Sequence, residues 1–465
     1  MRVLFVAYFF PPAGGAGVQR TVKFLKCLGQ YGVEADVVAG DGAVVASLGS
    51  DSTLEAECGG ARVTRVQARG MERPLKALAG IRGGAWAPWF VEGLRWWRNA
   101  AVRTAREVMR AARPDVIYVT ASPFEAAAAG RALSRESGIP WALDLRDPWA
   151  LDPTHTYPTY YHYLRARAAM REACASAAAV IMNTPRAAER LKEEFNDIAA
   201  EKVFCIPNGY DEDDLPPREA GEVGRKHGPL VIAHAGVFHT GYALKVDWRT
   251  RQALGSGGRR WTDMIRYRPG EAHLLARTPY YLFGGVRKAI DAGETGRGDI
   301  RMVFAGAAGP EDRALAGRFG LEASVEWTGY LAHVEAVKRL SDADVLFVPL
   351  HTVAGGTPLI VPGKTYECMG LRKPILACVP EGDARDVLAE SGLAVVCEPT
   401  DVGAIASAVA GFVRRHKAGE MKVTANEDFI RQFERRKLAA RLAKVLEAAA
   451  GGGHKGAGRE GSKWN

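Results

Sequence analysis

Short apolar runs alternate with amphipathic helical patterns along almost the whole chain. Among the first of these runs, Val3–Phe9 is continuously apolar, and Glu34–Ala39 and Asp115–Thr120 each contain an unbroken apolar stretch of at least three residues. Such runs predict strands that are buried on both faces of a parallel sheet, and the amphipathic stretches between them predict covering helices. The alternation of strand and helix therefore favours an α/β fold.

The alternation is interrupted by a polar segment rich in Pro and Gly, residues 211–228, and then restarts. Because 465 residues exceed one typical core, we expect two domains, with that segment as the linker. The predicted organisation is an N-terminal domain, a linker, a second domain with an aperiodic Arg- and Trp-rich insertion, a C-terminal helix and a flexible tail. Their respective bounds are residues 1–210, 211–228, 229–426 (insertion 242–276), 427–450 and 451–465.

The stretch Thr357–Pro374 carries the strongest signal for a ligand site. It lies between two apolar runs predicted as strands, and Gly363 precedes a short helical segment that contains Lys364 and Glu367. A helix that begins just beyond the carboxyl end of a parallel strand binds anions, because its free N–H groups point at the ligand. Lys364 would add a positive charge, and Glu367 would accept hydrogen bonds from a diol such as a ribose. The alternative is a solvated pair on a surface turn, and the strand–glycine–helix context favours the ligand site.

A second glycine-rich loop follows the first predicted strand and contains Gly14, Gly15 and Gly17. The strand–loop–helix–strand order is typical of nucleotide-binding units, although the glycine spacing does not fit the dinucleotide fingerprint. Further along, Arg146 and Asp147 follow another predicted strand and would lie at the rim of the same crevice. The alternative for this pair is a structural ion pair that holds a loop.

The distribution of charge along the chain indicates contact with a membrane surface. The formal net charge is +9, and residues 65–113 hold eleven Arg or Lys against three Glu, with Trp86, Trp89, Trp96 and Trp97 among them. Basic residues mixed with aromatics predict contact with an anionic membrane surface. The alternative is a solvated helix face whose aromatics pack in the core. No nucleic-acid-binding motif accompanies the segment, so we expect no nucleic-acid partner.

The remaining composition limits the class of protein. No apolar run approaches the roughly 20 residues that cross a bilayer, and the N-terminus enters a strand pattern without a signal-peptide cleavage site. Seven scattered cysteines have neither zinc spacing nor a disulfide framework, so we expect buried thiols in a cytoplasmic protein and no metal site.

Several segments, taken in order, resemble a known family. They are the N-terminal strand with its glycine loop, DLRDPW at 144–149, VIMNTPRAAERL followed by IPNGYD, AHAGVF, VEWTGYL, LSDADVLFVPL and KTYECMGLRKPILA. Their order and spacing resemble glycosyltransferase family 4. This resemblance implies the GT-B fold, with two Rossmann-like domains facing a cleft and a C-terminal helix that packs back toward the N-terminal domain.

The resemblance also implies an activity. Members transfer a sugar from a nucleotide-diphosphate-sugar donor, with retention and with no required metal or other cofactor. The implied acceptor is a glycan or a lipid-linked molecule in cell-surface polysaccharide synthesis, at the inner face of the plasma membrane. A nucleotide-sugar epimerase of the same fold and a catalytically inactive binding homologue are the alternatives.

Site residues follow from the resemblance position by position. Glu367 matches the second Glu of the family's Glu-x7-Glu motif, whereas Leu359 occupies the position of the first, so Lys364, Gly356 and Thr357 would compensate. Arg277 would help to neutralise the leaving diphosphate, and Asp147 is the nearest ionisable group where the family has a cleft histidine. The remaining implied donor-side positions are Gly236, Tyr330 and Leu331, and the loop near the diphosphate and acceptor contains Gly14, Gly15 and Gly17.

Overall fold

The computed structural model describes residues 1–40, 51–66, 88–217, 228–238, 240–451 and 464. The chain divides into two compact units. The first comprises Met1–Leu151, Arg165–Asn208 and Arg435–Asn465, and the second comprises Asp152–Leu164 and Gly209–Glu434.

The first unit is built on a parallel sheet that has seven strands in the described part of the chain. Its order is β3-β2-β1-β4-β5-β6-β7, with every neighbouring pair parallel. The strands are β1 Arg2–Ala7, β2 Glu34–Ala39, β3 Arg62–Arg65, β4 Val116–Ala121, β5 Trp141–Leu145, β6 Ala179–Met182 and β7 Val203–Cys205. The helices of this part of the chain are α1 Ala16–Leu28, α2 Pro88–Ala111, α3 Glu125–Ser137, α4 Tyr160–Ser176 (whose first residues group with the second unit) and α5 Pro185–Glu194.

The second unit repeats this architecture with a six-stranded parallel sheet among its described residues. The order is β11-β10-β8-β12-β14-β15, in which β8 Leu230–Ala235 and β12 Val345–Pro349 are adjacent. The other strands are β9 Ala272–His273, β10 Ile300–Ala305, β11 Val325–Gly329, β13 Thr352–Val353, β14 Ile375–Cys378 and β15 Ala394–Cys397, of which β9 and β13 form a separate antiparallel pair. The helices are α6 Thr240–Val246, α7 Trp248–Ala253, α8 Trp261–Ile265, α9 Tyr280–Asp291, α10 Pro310–Arg318, α11 His333–Ser341, α12 Gly363–Gly370, α13 Asp383–Glu390, α14 Val402–Ala418 and α15 Glu427–Arg431.

Both sheets have the same doubly wound strand order, so each has one point where the order reverses. That point lies between β1 and β4 in the first unit and between β8 and β12 in the second. Crevices at the carboxyl ends of the strands beside such a point are where α/β sheets bind ligands. The predicted α/β class with two Rossmann-like halves is therefore confirmed, and each half has one favoured place for a site.

A buried ion pair fixes the glycine-loop helix α1 to the first sheet. Arg20 donates to both carboxylate oxygens of Asp144 at 2.8 and 2.9 Å, and also to the carbonyls of Ile206 and Pro207, each at 2.9 Å. Burial alone would lower the pKa of Arg20, but the adjacent carboxylate raises it above its usual value. The Arg20 guanidinium is therefore paired with partners within the first unit, and its role is structural.

The predicted C-terminal helix is two helices rather than one. Helix α15 ends at Arg431, and α16 runs from Arg435 to Ala449 within the first unit. Tyr31 donates to the Arg436 carbonyl at 3.1 Å, so α16 does pack on the N-terminal half of the chain. Most of the predicted tail lies outside the described residues.

The segment expected to be an aperiodic insertion is folded. Residues 242–276 form α6, α7, α8 and β9, each too short to produce a visible period in the sequence. Strand β9 pairs with β13, His273 with Thr352 and Ala272 with Val353. Of the expected linker, only Asp211–Pro217 and Gly228 lie within the described residues.

The basic aromatic segment 65–113 is described only in part. Trp97 is buried and its ring lies 5.0 Å from that of Tyr8, so this tryptophan belongs to the core; Trp96 is half-buried. Trp86 and the side chain of Trp89 lie outside the described residues. None of the described helices is both long and apolar enough to cross a membrane. All seven cysteines are free thiols; six are buried, as expected, and Cys205 is partly exposed.

Candidate functional site

Three adjacent strands of the second sheet end in glycines. Gly236, Gly306 and Gly329 follow or close β8, β10 and β11, and Gly236 and Gly329 have φ values of 146° and 78°. The backbones meet so closely that a Cβ at Gly306 would lie 2.1 Å from the Gly236 carbonyl oxygen. Only glycine permits this approach, and the rim of the sheet here consists of backbone.

His234, on β8, lies directly beneath this rim. Its Nδ1 is 2.9 Å from the Phe347 carbonyl oxygen, and its ring stacks on Phe238 with centroids 4.5 Å apart. A Cβ at Gly236 would lie 3.1 Å from Nε2, so that nitrogen faces the glycine loop. Burial, assisted by the positive charges of Lys364 and Arg277, lowers the pKa of His234 to about 4. The imidazole is therefore neutral at pH 7.

A second histidine, His351, is buried and follows β12 on the other side of the reversal point. Burial and the charges of Arg277 and Arg268 lower its pKa to about 3. Its Nδ1 is buried and has no hydrogen-bond partner among the described residues. The sequence reasoning missed this residue, although a polar residue directly after a fully apolar strand is a signal that could have found it.

Arg277 reaches the reversal point by way of the inserted segment. The pairing of β9 with β13 places the end of this segment against the residues that follow His351. Arg277 then closes a short 3-10 helix, Leu274–Arg277, and its charge acts on both His234 and His351. The predicted cation is thus present beside β8 and β12, despite its displacement along the sequence.

Helix α12 contributes Lys364 and Glu367. Lys364 Nζ lies 2.8 Å from Glu367 Oε2, and the Glu367 carboxylate is buried. Burial would raise the pKa of Glu367, but the Lys364 ammonium and the His333 imidazole outweigh it, and the net pKa lies below the usual value. The first turn of α12 contains no acidic residue and has no side-chain cap, so its positive dipole end is not matched by a carboxylate of its own.

The loop before α12 lacks the first carboxylate of the family motif. Leu359 is half-buried in this loop. The preceding turn has Gly355 in the left-handed region at φ 68°, and the Gly356 amide donates to the Val353 carbonyl at 3.3 Å. Thr357 is half-buried. On the neighbouring strand end, Tyr330 is 55% exposed and Leu331 is half-buried.

The first unit has a corresponding cluster at its own sheet edge. Gly17 packs against Arg146, and a Cβ at Gly17 would lie 1.2 Å from a guanidinium nitrogen. Arg146 donates to the Ser122 carbonyl at 3.1 Å, while its Nε is buried and has no hydrogen-bond partner among the described residues. Burial lowers the pKa of Arg146. Asp147, the predicted residue, is exposed and lies 3.9 Å from that Nε.

The predicted residues therefore form two groups. In the second unit, Arg277, Lys364, Glu367 and Gly236 gather at the carboxyl edge of the sheet; in the first, Gly17 and Asp147 converge near Arg146, with Gly14 and Gly15 in the loop that opens α1. Two cations, two neutral imidazoles and a helix N-terminus around one reversal point can bind an anion and stabilise charge that develops on it.

Family models match most of both halves of the chain. Residues 17–214 match the model of Glycosyltransferase Family 4, and residues 281–415 match that of Glycosyl transferases group 1. The chain is a family 4-like glycosyltransferase. The segments that carried the resemblance in the sequence fall largely within these two matches.

Solved structures share the fold of this glycosyltransferase. The apo form of the lipopolysaccharide outer core galactosyltransferase WaaB is 12% identical with a TM-score of 0.53, and the alignment covers 96% of this chain and 99% of that one. An α,α-trehalose-phosphate synthase (UDP-forming) from Burkholderia vietnamiensis is 12% identical with a TM-score of 0.58, over 96% and 100%. A UDP-N-acetylglucosamine 2-epimerase is 12% identical with a TM-score of 0.55, over 99% of both chains. At these identities the similarity shows the GT-B fold alone. No curated protein sequence matches the glycosyltransferase.

Proposed function

We propose that this glycosyltransferase binds a nucleotide-diphosphate-sugar donor in its second unit and transfers the sugar, with retention, to a glycan or lipid-linked acceptor of cell-surface polysaccharide synthesis. The observation that carries the proposal is the positive charge gathered beside β8 and β12, where Arg277 acts on both His234 and His351 and Lys364 acts on His234. Two of the structures with this fold support it, since one is a UDP-forming synthase and the other a lipopolysaccharide galactosyltransferase.

The donor's diphosphate is assigned to Lys364, Arg277 and the first turn of α12. A cation pair and a helix N-terminus are suited to an anion that carries two phosphates. Glu367, already ionised, accepts hydrogen bonds from the ribose. The glycine rim at Gly236 lets the backbone approach the ligand, and Tyr330 with Leu331 borders the base.

The sugar is assigned to the loop before α12 and to His351. Because Leu359 cannot accept hydrogen bonds from sugar hydroxyls, the backbone carbonyls of Gly356 and Thr357 take this role, and the Lys364 ammonium donates to sugar oxygens. The unpartnered Nδ1 of His351 provides one more hydrogen-bonding atom at this edge. It stays neutral there because burial and Arg277 disfavour its protonation.

Catalysis is assigned to electrostatics. When the sugar–phosphate bond breaks, negative charge grows on the diphosphate and positive charge on the sugar ring. Lys364 and Arg277 stabilise the former from fixed positions, and losing one such preorganised group costs roughly a hundred- to a thousand-fold in rate. On the acceptor side, Asp147 and the Gly14–Gly17 loop are the candidates.

The test is calorimetric titration of UDP into the wild type and into Lys364→Ala and Glu367→Ala. Lys364→Ala is expected to weaken binding on the order of tenfold or more, because a charge-assisted contact to phosphate contributes about 1.5–3 kcal/mol. Glu367→Ala is expected to weaken binding similarly through the ribose. Unchanged UDP affinity in both variants contradicts the site assignment.

A matched control exists on the first unit. Lys192 and Glu189 on α5 form the same type of pair, three residues apart with Nζ and Oε1 at 2.9 Å, on an exposed helix face. Lys192→Ala and Glu189→Ala should leave UDP affinity unchanged. Incubating the UDP-sugar without acceptor serves as a further control, since formation of a sugar epimer there would favour an epimerase instead.

A further inference from the structure

Helix α8 turns an apolar face to solvent. Trp261, Met264 and Ile265 stand at positions i, i+3 and i+4 and so share one face of the helix. Their exposed fractions are 72%, 83% and 53%. A surface helix of a globular protein normally turns such a face toward the core, so this exposure is unusual.

The polar side of the same helix is anchored to the protein. Asp263 forms an ion pair with Arg251, a guanidinium that is only 1% exposed, and also accepts from the Arg260 amide at 2.8 Å. Arg251 in turn donates to the carbonyls of Gly258 at 3.0 Å and Leu244 at 3.1 Å. These contacts fix the orientation of α8, and the outward apolar face is a feature of the fold.

A second apolar strip is attached beside it within the same unit. The Tyr157 amide donates to the Tyr267 carbonyl at 2.8 Å, the Tyr267 amide donates to the Tyr157 carbonyl at 3.0 Å, and the Tyr160 ring lies 4.8 Å from that of Tyr267. Tyr160, Tyr161 and Leu164 are 53%, 61% and 42% exposed. We call the exposed side chains of this strip and of α8 the α8 surface.

Positive charge surrounds the α8 surface. Residues 242–276 contain seven Lys or Arg against three Asp or Glu, a balance of +4. The acidic groups are engaged: Asp263 with Arg251, Glu271 with Arg249, and Asp247 as the cap of α7. Exposed arginines flank the apolar face, namely Arg259, Arg260 and Arg266.

We propose that the α8 surface docks on an anionic lipid bilayer. Exposed Trp, Met and Ile can enter the interfacial region, tyrosines lie at the level of the headgroups, and arginines bind lipid phosphates. Charge complementarity selects this partner, because a second copy would bring the same positive surface against itself. The proposal does not depend on the sugar-transfer assignment, since docking is measured without donor or acceptor.

The experiment is co-sedimentation of the full chain with vesicles of phosphatidylcholine, with and without phosphatidylglycerol, at low and high salt. We expect the wild type to partition onto the anionic vesicles at low salt and to be released by high salt. The triple variant R259E/R260E/R266E should lose on the order of a hundredfold in partition coefficient, because each basic residue near the surface contributes about 1 kcal/mol. The triple variant W261S/M264S/I265S should also bind the vesicles more weakly than the wild type. This loss should depend less on salt than the loss in R259E/R260E/R266E.

A charge-matched control separates this surface from the net charge of the chain. The variant R135E/R339E/R414E makes the same change at three exposed arginines that lie outside both this surface and residues 65–113, and it should retain vesicle binding. Circular dichroism and Tm of every variant check that the fold is intact. Loss of binding in this control equal to that of R259E/R260E/R266E, no partition of the wild type at low salt, or lipid-free dimers abolished by W261S/M264S/I265S would each overturn the proposal.

Discussion

At the scale of single residues, the site is defined by two imidazoles that cannot easily take up a proton. Burial is the main cause for both His234 and His351, and the charge of Arg277 acts on each in the same direction. The cations that suit the site to an anionic ligand thus also keep the histidines neutral. Each imidazole is available as a hydrogen-bonding group at physiological pH.

This arrangement predicts that the protein loses stability in mild acid. The unfolded chain takes up protons at these histidines below a pKa of about 6.5, whereas the folded chain does so only near pH 4 for His234 and pH 3 for His351. Stability is therefore full above about pH 6.5 and falls with pH below it, by about 1.4 kcal/mol per pH unit for each histidine. Urea unfolding from pH 7.5 to 4.5 measures the slope.

The matched variants for this prediction are His351→Asn and His234→Gln. Each variant should reduce the slope of the unfolding free energy against pH by about 1.4 kcal/mol per pH unit below pH 6.5, whatever its effect on stability at pH 7.5. The exposed His162 provides the control, because His162→Asn should leave the slope as in the wild type. A slope that neither buried-site variant changes would contradict the assignment.

The site residues that could be predicted from the sequence are those whose position depends on a local pattern. Lys364 and Glu367 could be predicted because strand, glycine and helix follow one another directly in the sequence. Arg277 entered only through the resemblance, because its place is fixed by the pairing of His273 with Thr352, which is remote in sequence. His351 was missed although it follows a predicted strand, since a single polar residue there carries no period.

At the scale of elements, the start of α1 is fitted to one neighbour. Gly17 leaves the space that the Arg146 guanidinium occupies, and the guanidinium is held there by the Ser122 carbonyl and by the Phe9 ring, whose centroid is 5.5 Å away. The glycines at the start of α1 therefore do more than make the chain flexible there. One of them is a packing requirement.

We predict that Gly17→Ala displaces Arg146 and lowers stability by roughly 1–3 kcal/mol, the usual range for overpacking a close contact. Gly29→Ala is the matched control, because φ there is −56° and no atom lies within 4 Å of the added Cβ. That substitution should be neutral or slightly stabilising. Differential scanning calorimetry of the two variants gives the comparison, and equal Tm values would show that Arg146 moves aside freely.

Other element-level differences have a similar origin. The helical period over 427–450 was predicted as one helix, but the chain turns between Arg431 and Arg435. There the Tyr210 amide donates to the Phe433 carbonyl at 3.1 Å, and the buried Phe433 ring lies 5.1 Å from that of Tyr366. A tertiary contact breaks the helix, and periodicity within one segment contains no information about it.

At the scale of the whole molecule, the α/β class and the two halves followed from the alternation of apolar runs, because parallel strands buried on both faces are uniformly apolar. The alternation did not predict which chain segments belong to each unit. The segment Asp152–Leu164 groups with the second unit through the backbone pairing of Tyr157 with Tyr267, although the sequence around it belongs to the first. Such assignments depend on contacts between distant segments.

The second unit has positive groups of its own that can neutralise the diphosphate charge of the donor. Because Lys364, Arg277 and the first turn of α12 supply positive charge at one edge of the second sheet, we expect turnover to continue in EDTA. Transfer from a UDP-sugar is assayed after dialysis against EDTA and again after addition of Mg²⁺ or Mn²⁺. Loss of turnover that either metal restores would contradict the expectation. Lys364→Ala sharpens the test, because a variant that lacks the ammonium should gain from added Mg²⁺ while the wild type does not. If the wild type and the variant respond equally to the metal, the ammonium is not what balances the diphosphate charge.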